Sequence, residues 1–245
     1  MADALLTAQG ITVRFGGLLA VDAVGLEVRE RELVGMIGPN GAGKTTLFHA
    51  LSGVLKPNAG RLVVGGDDLT GRPAHLFATH GIARTFQTPR VFRTMTAEQN
   101  VRFGLAFAGR GRRHSHCAFD DAGSILGFLG LDEAARVPAA ALTPAKQRLL
   151  EIGMALGARP RVLLLDEVAA GLTEAEVDAV SDLVRRVRDE LGLAVVWIEH
   201  AVRALMNCVE RIVVLHQGRK IADDLPQLVA RDPAVIEAYL GEAAA

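Results

Sequence analysis

Apolar positions fall in short runs between turn residues, and their spacing changes twice along the chain. Up to Gly38 the runs alternate or are briefly continuous, so residues 11–15 (ITVRF), 25–30 (GLEVRE) and 32–38 (ELVGMIG) read as strands. The last of these runs into a glycine-rich turn, and a helix is expected from about residue 43 to 52, closing near Gly53. Pro57, Asn58, Ala59 and Gly60 read as a turn before a further strand over 61–64. Between Pro89 and Ala158 the apolar spacing shifts to three and four, which predicts helices within 95–107, 124–131 and 144–157. From Arg161 the first pattern returns: strand 162–167, helix 173–190, strand 193–198, a short helix, then strand 211–219. Strands alternating with helices of this length indicate a parallel sheet, so the layout is an α/β core interrupted by a helical insert.

The chain has 245 residues, 50% hydrophobic and 22% charged, which is enough apolar mass for one large domain and excludes a disordered chain. A net charge of −1 and a pI near 6.7 argue against a general nucleic-acid binder, so no nucleic-acid partner is expected. Cys117 and Cys208 lie far apart and support neither a disulfide framework nor a four-cysteine zinc site, which fits a reducing compartment. The first ten residues lack the basic and apolar regions of a signal peptide. No apolar run approaches the roughly 18 residues a membrane span needs, so the chain reads as soluble, with a membrane partner left open.

The chemistry begins at residues 38–46, GPNGAGKTT, which match the phosphate-loop pattern between a predicted strand and a predicted helix. Gly38, Pro39, Asn40, Gly41, Ala42 and Gly43 form a bend whose backbone N–H groups can turn toward phosphate oxygens, aided by the positive end of the helix. Lys44, one of only four lysines, can reach the outer phosphates, and Thr45, followed by Thr46, can offer its hydroxyl to Mg²⁺. The strand RVLLLDE ends in Asp166, placed to hold Mg²⁺ through its water shell, and Glu167, placed to polarise an attacking water. No N-K-x-D base-reading motif occurs, which argues against a GTPase.

Together these motifs resemble the ATP-binding subunits of ABC transporters, and more narrowly those of branched-chain amino acid importers. RFGGLLAVD, GPNGAGKTT, RTFQ, LLLDEVAAGL, WIEH and AVIEAYLGE stand in that family's order over nearly the full length. The resemblance implies a P-loop NTPase core with an N-terminal antiparallel β subdomain and an inserted helical subdomain. It divides a single ABC ATPase domain (1–245) into a nucleotide-binding core, 1–88 with 159–245, and a helical signature subdomain, 89–158. It further implies that Phe15 stacks on adenine and that Gln87 links Mg²⁺ and the attacking water to the transport subunits. By the same resemblance residues 169–172 touch a second ATPase, and His200 contacts the γ-phosphate. ATP and Mg²⁺ are the implied cofactors. The implied partners are a second ABC ATPase subunit, two transmembrane permease subunits and, indirectly, a periplasmic or extracellular solute-binding protein. The implied location is peripheral, on the cytoplasmic face of the plasma or inner membrane.

One stretch departs from the family. Where its signature commonly reads LSYGQQRRLEIA, this chain has LTPAKQRLLEIG. Thr143 keeps a hydroxyl, Pro144 has no N–H to donate, Ala145 stands in place of a glycine, and Lys146 adds a charge. In the head-to-tail dimer that segment would serve the partner's ATP, so an asymmetric heterodimer is expected; alternatively, Lys146 supplies by charge what the lost N–H groups gave. A regulatory ATP-binding subunit with a degenerate signature, and a soluble ABC ATPase outside transport, remain as other readings. The basic run 109–116 (GRGRRHSH) reads as a solvated loop, and His114, His116 and Cys117 lack a companion pair for a metal. Val91, Phe92 and Met95 fit equally a core of the insert or a face for the membrane subunits.

Overall fold

The computed structural model describes residues 4–107, 119–200 and 202–243. The chain opens with two long strands, β1 (Ala4–Phe15) and β2 (Leu18–Arg29), followed by β3 (Leu33–Ile37) and helix α1 (Lys44–Leu51). Next come β4 (Ala59–Val64), β5 (Asp67–Asp68), α2 (Ala74–Thr79) and β6 (Ile82–Arg84). The helical stretch holds α3 (Ala97–Phe107), α4 (Ala122–Phe128) and α5 (Pro144–Gly157). Alternation then resumes with β7 (Val162–Asp166), α6 (Glu174–Asp189), β8 (Ala194–Ile198), α7 (Val202–Met206) and β9 (Arg211–His216). The described chain closes with β10 (Arg219–Asp224), α8 (Pro226–Val229) and α9 (Pro233–Ala243).

Two sheets result. β2, β1, β4 and β5 form an antiparallel sheet in that order. The second sheet runs β10-β9-β3-β8-β7-β6, parallel throughout except for β10 at its edge. Its central strands are apolar at nearly every position because both faces are covered. Leu163, Leu165, Val195 and Trp197 face the helices α3 to α6, while Leu164, Val196, Ile198 and Met36 face α1 and the antiparallel sheet. No helix among the described residues is long and apolar enough to cross a membrane.

β1 and β2 extend beyond the apolar runs that predict them, whereas β9 stops at His216, short of the expected 219, and β10 starts at Arg219. β1 starts at Ala4 because Leu5, Leu6 and Ala8 are buried against the second face of the core, and a register shift past Gly10 breaks the alternation there. β6, only three residues long, and the short α2 lie below the length at which periodicity is informative. The insert is helical as expected: α3 and α5 pack so closely that a Cβ on Gly104 would fall 2.2 Å from the Met154 carbonyl oxygen. The basic run 109–116, with His114, His116 and Cys117, lies outside the described residues.

Candidate functional site

Because β3, β6, β7 and β8 run parallel, their carboxyl ends open onto one edge of the sheet, where ligands of such folds bind. The loop after β3 carries residues 38–43, the loop after β6 carries Gln87, β7 ends at Asp166 with Glu167 next, and β8 leads to His200. A cleft of about 580 Å³ joins Phe15, residues 40–46, Gln87, Glu167 and His200.

The phosphate loop owes its shape to glycine at two positions. Gly38 has φ 153° and a Cβ there would sit 2.1 Å from the Leu215 carbonyl oxygen; Gly43, at φ 98°, would place one 2.3 Å from the Ala20 oxygen. Gly43 also caps α1, whose Leu47, Phe48 and Leu51 are buried in the core and fix the helix N-terminus beneath the cleft. Lys44 is buried and donates from Nζ to the carbonyls of Gly38, at 2.6 Å, and Pro39, at 2.9 Å. Thr45 is exposed at the cleft. Phe15 is 50% exposed and lines the same cleft, so it is a surface aromatic and not a core residue.

Glu167 is the hub of the acidic side. It sits directly after β7 in the left-handed region, φ 51°, an uncommon conformation for such a side chain. Its backbone is held at both ends: its N–H donates to the Ile198 carbonyl at 3.0 Å, and Arg148 Nη1 donates to its own carbonyl at 2.5 Å. One carboxylate oxygen accepts from Gln87 Nε2 and the other contacts His200 Nε2, each at 2.7 Å. Sequence positions 87, 167 and 200 therefore meet in one hydrogen-bonded group.

Asp166 is 2% exposed, and burial lifts its carboxyl above the ordinary range even though Arg84 pulls it back. Its Oδ2 accepts from Arg84 Nη2 at 3.0 Å; Oδ1 is buried with no hydrogen-bond partner among the described residues. A buried acceptor left open beside a phosphate loop suits a hydrated cation. Among the described residues no cluster of three or more His, Cys, Asp or Glu is set to hold a metal by itself.

The signature segment starts α5. Thr143 is the N-cap, accepting from the Lys146 N–H at 3.3 Å, and Pro144 occupies the first turn, where its missing N–H costs the helix nothing. Thr143, Pro144 and Lys146 are exposed, and Ala145 is partly so. Val91 packs against the core, whereas Phe92 and Met95 are 39% and 38% exposed, with Phe92 edge-on to Phe103.

Four residues that support this site lie within the quoted motifs but receive no role from the sequence: Arg84, Arg148, Glu151 and Glu199. Glu199 is buried and accepts from the Ala169 N–H at 2.7 Å and Trp197 Nε1 at 3.0 Å, tying the segment after Glu167 to β8. A signal existed for one of them, since Glu151 interrupts the otherwise apolar stretch 149–157, most of which the fold buries.

The family model described as ABC transporter matches residues 21–170. The chain belongs to the ABC transporter family. A second model, described as branched-chain amino acid ATP-binding cassette transporter, matches residues 219–245 of this ABC subunit. It is 41% identical, over 99% of its length and 100% of the relative's, to the high-affinity branched-chain amino acid transport ATP-binding protein BraF of Pseudomonas aeruginosa. It is 39% identical, with the same coverage, to the protein LivG of Escherichia coli, which carries the same description. The crystal structure of MJ1267, an ATP-binding cassette of an ABC transporter in its ADP conformation, superposes with a TM-score of 0.87. The two are 29% identical over 98% of this chain and 100% of the other. The P-loop ABC ATPase fold and the reading of the chain as an ATP-binding, ATP-hydrolysing transport subunit stand on these likenesses.

Proposed function

We propose that this ATPase powers an importer of branched-chain amino acids and that hydrolysis takes place at the cleft between the phosphate loop and Glu167. The observation that carries the site is the convergence of Gln87 and His200 on the Glu167 carboxylate beside residues 38–46. The solute class rests on the BraF and LivG likeness and the match at residues 219–245.

In this reading the backbone N–H groups of residues 39–43 and Lys44 hold the phosphates of ATP. Lys44 exchanges the Gly38 and Pro39 carbonyls for phosphate oxygens, so the loop holds its cation in place where the phosphates bind. Phe15 offers an exposed ring to adenine. Glu167 accepts a proton from the attacking water, Gln87 orients that water, and His200 steadies the γ-phosphate and the Glu167 carboxylate. Thr45, Asp166 and Gln87 would hold Mg²⁺, which when bound neutralises charge on the phosphate oxygens. The open Oδ1 of Asp166 supports that assignment.

The subunit acts with membrane permease subunits; we further assign it to the cytoplasmic face, with a solute-binding protein acting from the other side. Residues 89–158 form the signature subdomain and 1–88 with 159–245 the nucleotide-binding core. The second ATPase is a different chain, because Pro144 withholds an N–H where the partner's γ-phosphate would rest. Calorimetry with MgATP tests the phosphate site: binding is expected for the wild type and a loss of at least about tenfold in affinity for Lys44→Ala. Equal affinity in the two proteins would refute it.

A further inference from the structure

Helix α5 reaches the site with two side chains three residues apart on one face. Arg148 grips the Glu167 carbonyl, as described. Glu151, buried, accepts the Arg90 N–H on Oε1 at 2.9 Å and the Phe86 N–H on Oε2 at 3.3 Å. These two amides flank Gln87 on either side, so one carboxylate pins both ends of the segment that carries it. The segment is stiffened further by the Phe86 ring, stacked under Arg84 at 4.6 Å and Arg90 at 4.3 Å.

An ionised carboxylate meets both amides best, since each oxygen is a full acceptor and neither carries a donor. A carboxamide turns a donor toward one N–H and leaves that amide unpaired, and a protonated acid keeps one strong acceptor and weakens the other bond.

We propose that Glu151 is a positioning residue that holds Gln87 against Glu167 and makes that placement follow helix α5. The same helix presents residues 143–146 at its exposed start, so a contact made there by a second subunit is carried to the water-polarising group. The proposal rests on Glu167 being the hydrolytic base.

Burial pushes the Glu151 carboxyl up to about 7, opposed by the two amides and by Arg148 on its own helix and Arg84 on β6. His49 of α1 faces Arg84 and Arg90 and is held below its ordinary value, by burial first and then by those charges.

The test is steady-state MgATP hydrolysis by the assembled transporter from pH 6 to 8.5, wild type against Glu151→Gln, with ATP affinity measured alongside. At pH 8 the variant is expected to have a kcat about tenfold lower, with affinity within about twofold. The ratio should shrink toward one at pH 6, where the wild-type carboxyl is itself protonated. A ratio that stays constant with pH, or no loss of kcat, overturns the proposal. Hydrogen exchange on the unmutated chain gives a second readout: protection of the Phe86 and Arg90 amides, corrected for intrinsic rates, should fall on acidification below about pH 7. Unchanged protection also overturns it. Both results are separable from failure of the hydrolytic reading, in which the wild type itself would not turn over ATP.

Discussion

Arg84 Nη2 lies 3.0 Å from Asp166 Oδ2, and the two side chains are only 8% and 2% exposed. The guanidinium also donates to Ser52 Oγ at 3.0 Å, so strand β6, strand β7 and the C-terminal end of helix α1 are joined. Removing one partner of a buried pair leaves the other charge uncompensated. Arg84→Met is therefore expected to lower stability by about 3 kcal/mol, read from urea unfolding. A change near zero would mean that Asp166 is held by other groups.

The buried Glu151 gives stability a definite pH dependence. Its folded-state value of about 7 lies above the ordinary 4.5, so the native chain retains a proton that the unfolded chain gives up. Its contribution is full below about pH 4.5 and is lost as pH rises through about 7. Relative to Glu151→Gln, the wild type should lose about 3 kcal/mol between pH 4.5 and 7.5. Parallel stability curves for the two proteins would rule out this linkage. The group thus weakens the fold in the ionic form that positions Gln87, a trade common at functional sites.

The start of α5 bears on pairing. Pro144 is well placed for the helix and, in the proposed dimer, has no N–H to offer the partner's phosphate. The purified chain alone should hydrolyse ATP slowly, and a co-expressed pair with a second ATPase should be fast. Pro144→Gly together with Ala145→Gly should raise turnover of the isolated chain about tenfold or more. Brisk, cooperative turnover by the unmodified homodimer would contradict the asymmetric arrangement.

Much of this site is legible in the sequence, and the reasons are local. Residues 38–46 specify their own geometry, because glycines at Gly38 and Gly43 are the only residues those φ values and close contacts admit. Asp166 and Glu167 follow an apolar run whose strand character is plain. The supporting residues are different. Arg84, Arg148 and Glu199 look like ordinary charges, and Glu151, though set in an apolar stretch, does not reveal its partners until the fold supplies them from distant segments. Glu151 meets amides 61 and 65 residues away, and Arg84 meets a carboxylate 82 residues away. Nothing in the spacing of charged residues announces such pairings. Phe15 illustrates the same limit: its 50% exposure follows from a position beside the turn between β1 and β2.

Glu167 is the residue on which the account depends. Glu167→Gln preserves the side-chain shape while removing the base. Single-turnover hydrolysis of MgATP in the assembled transporter should fall at least about 100-fold, with ATP affinity within about twofold of wild type. Turnover within about twofold of wild type would show that the proton is taken elsewhere and that this cleft does not work as described.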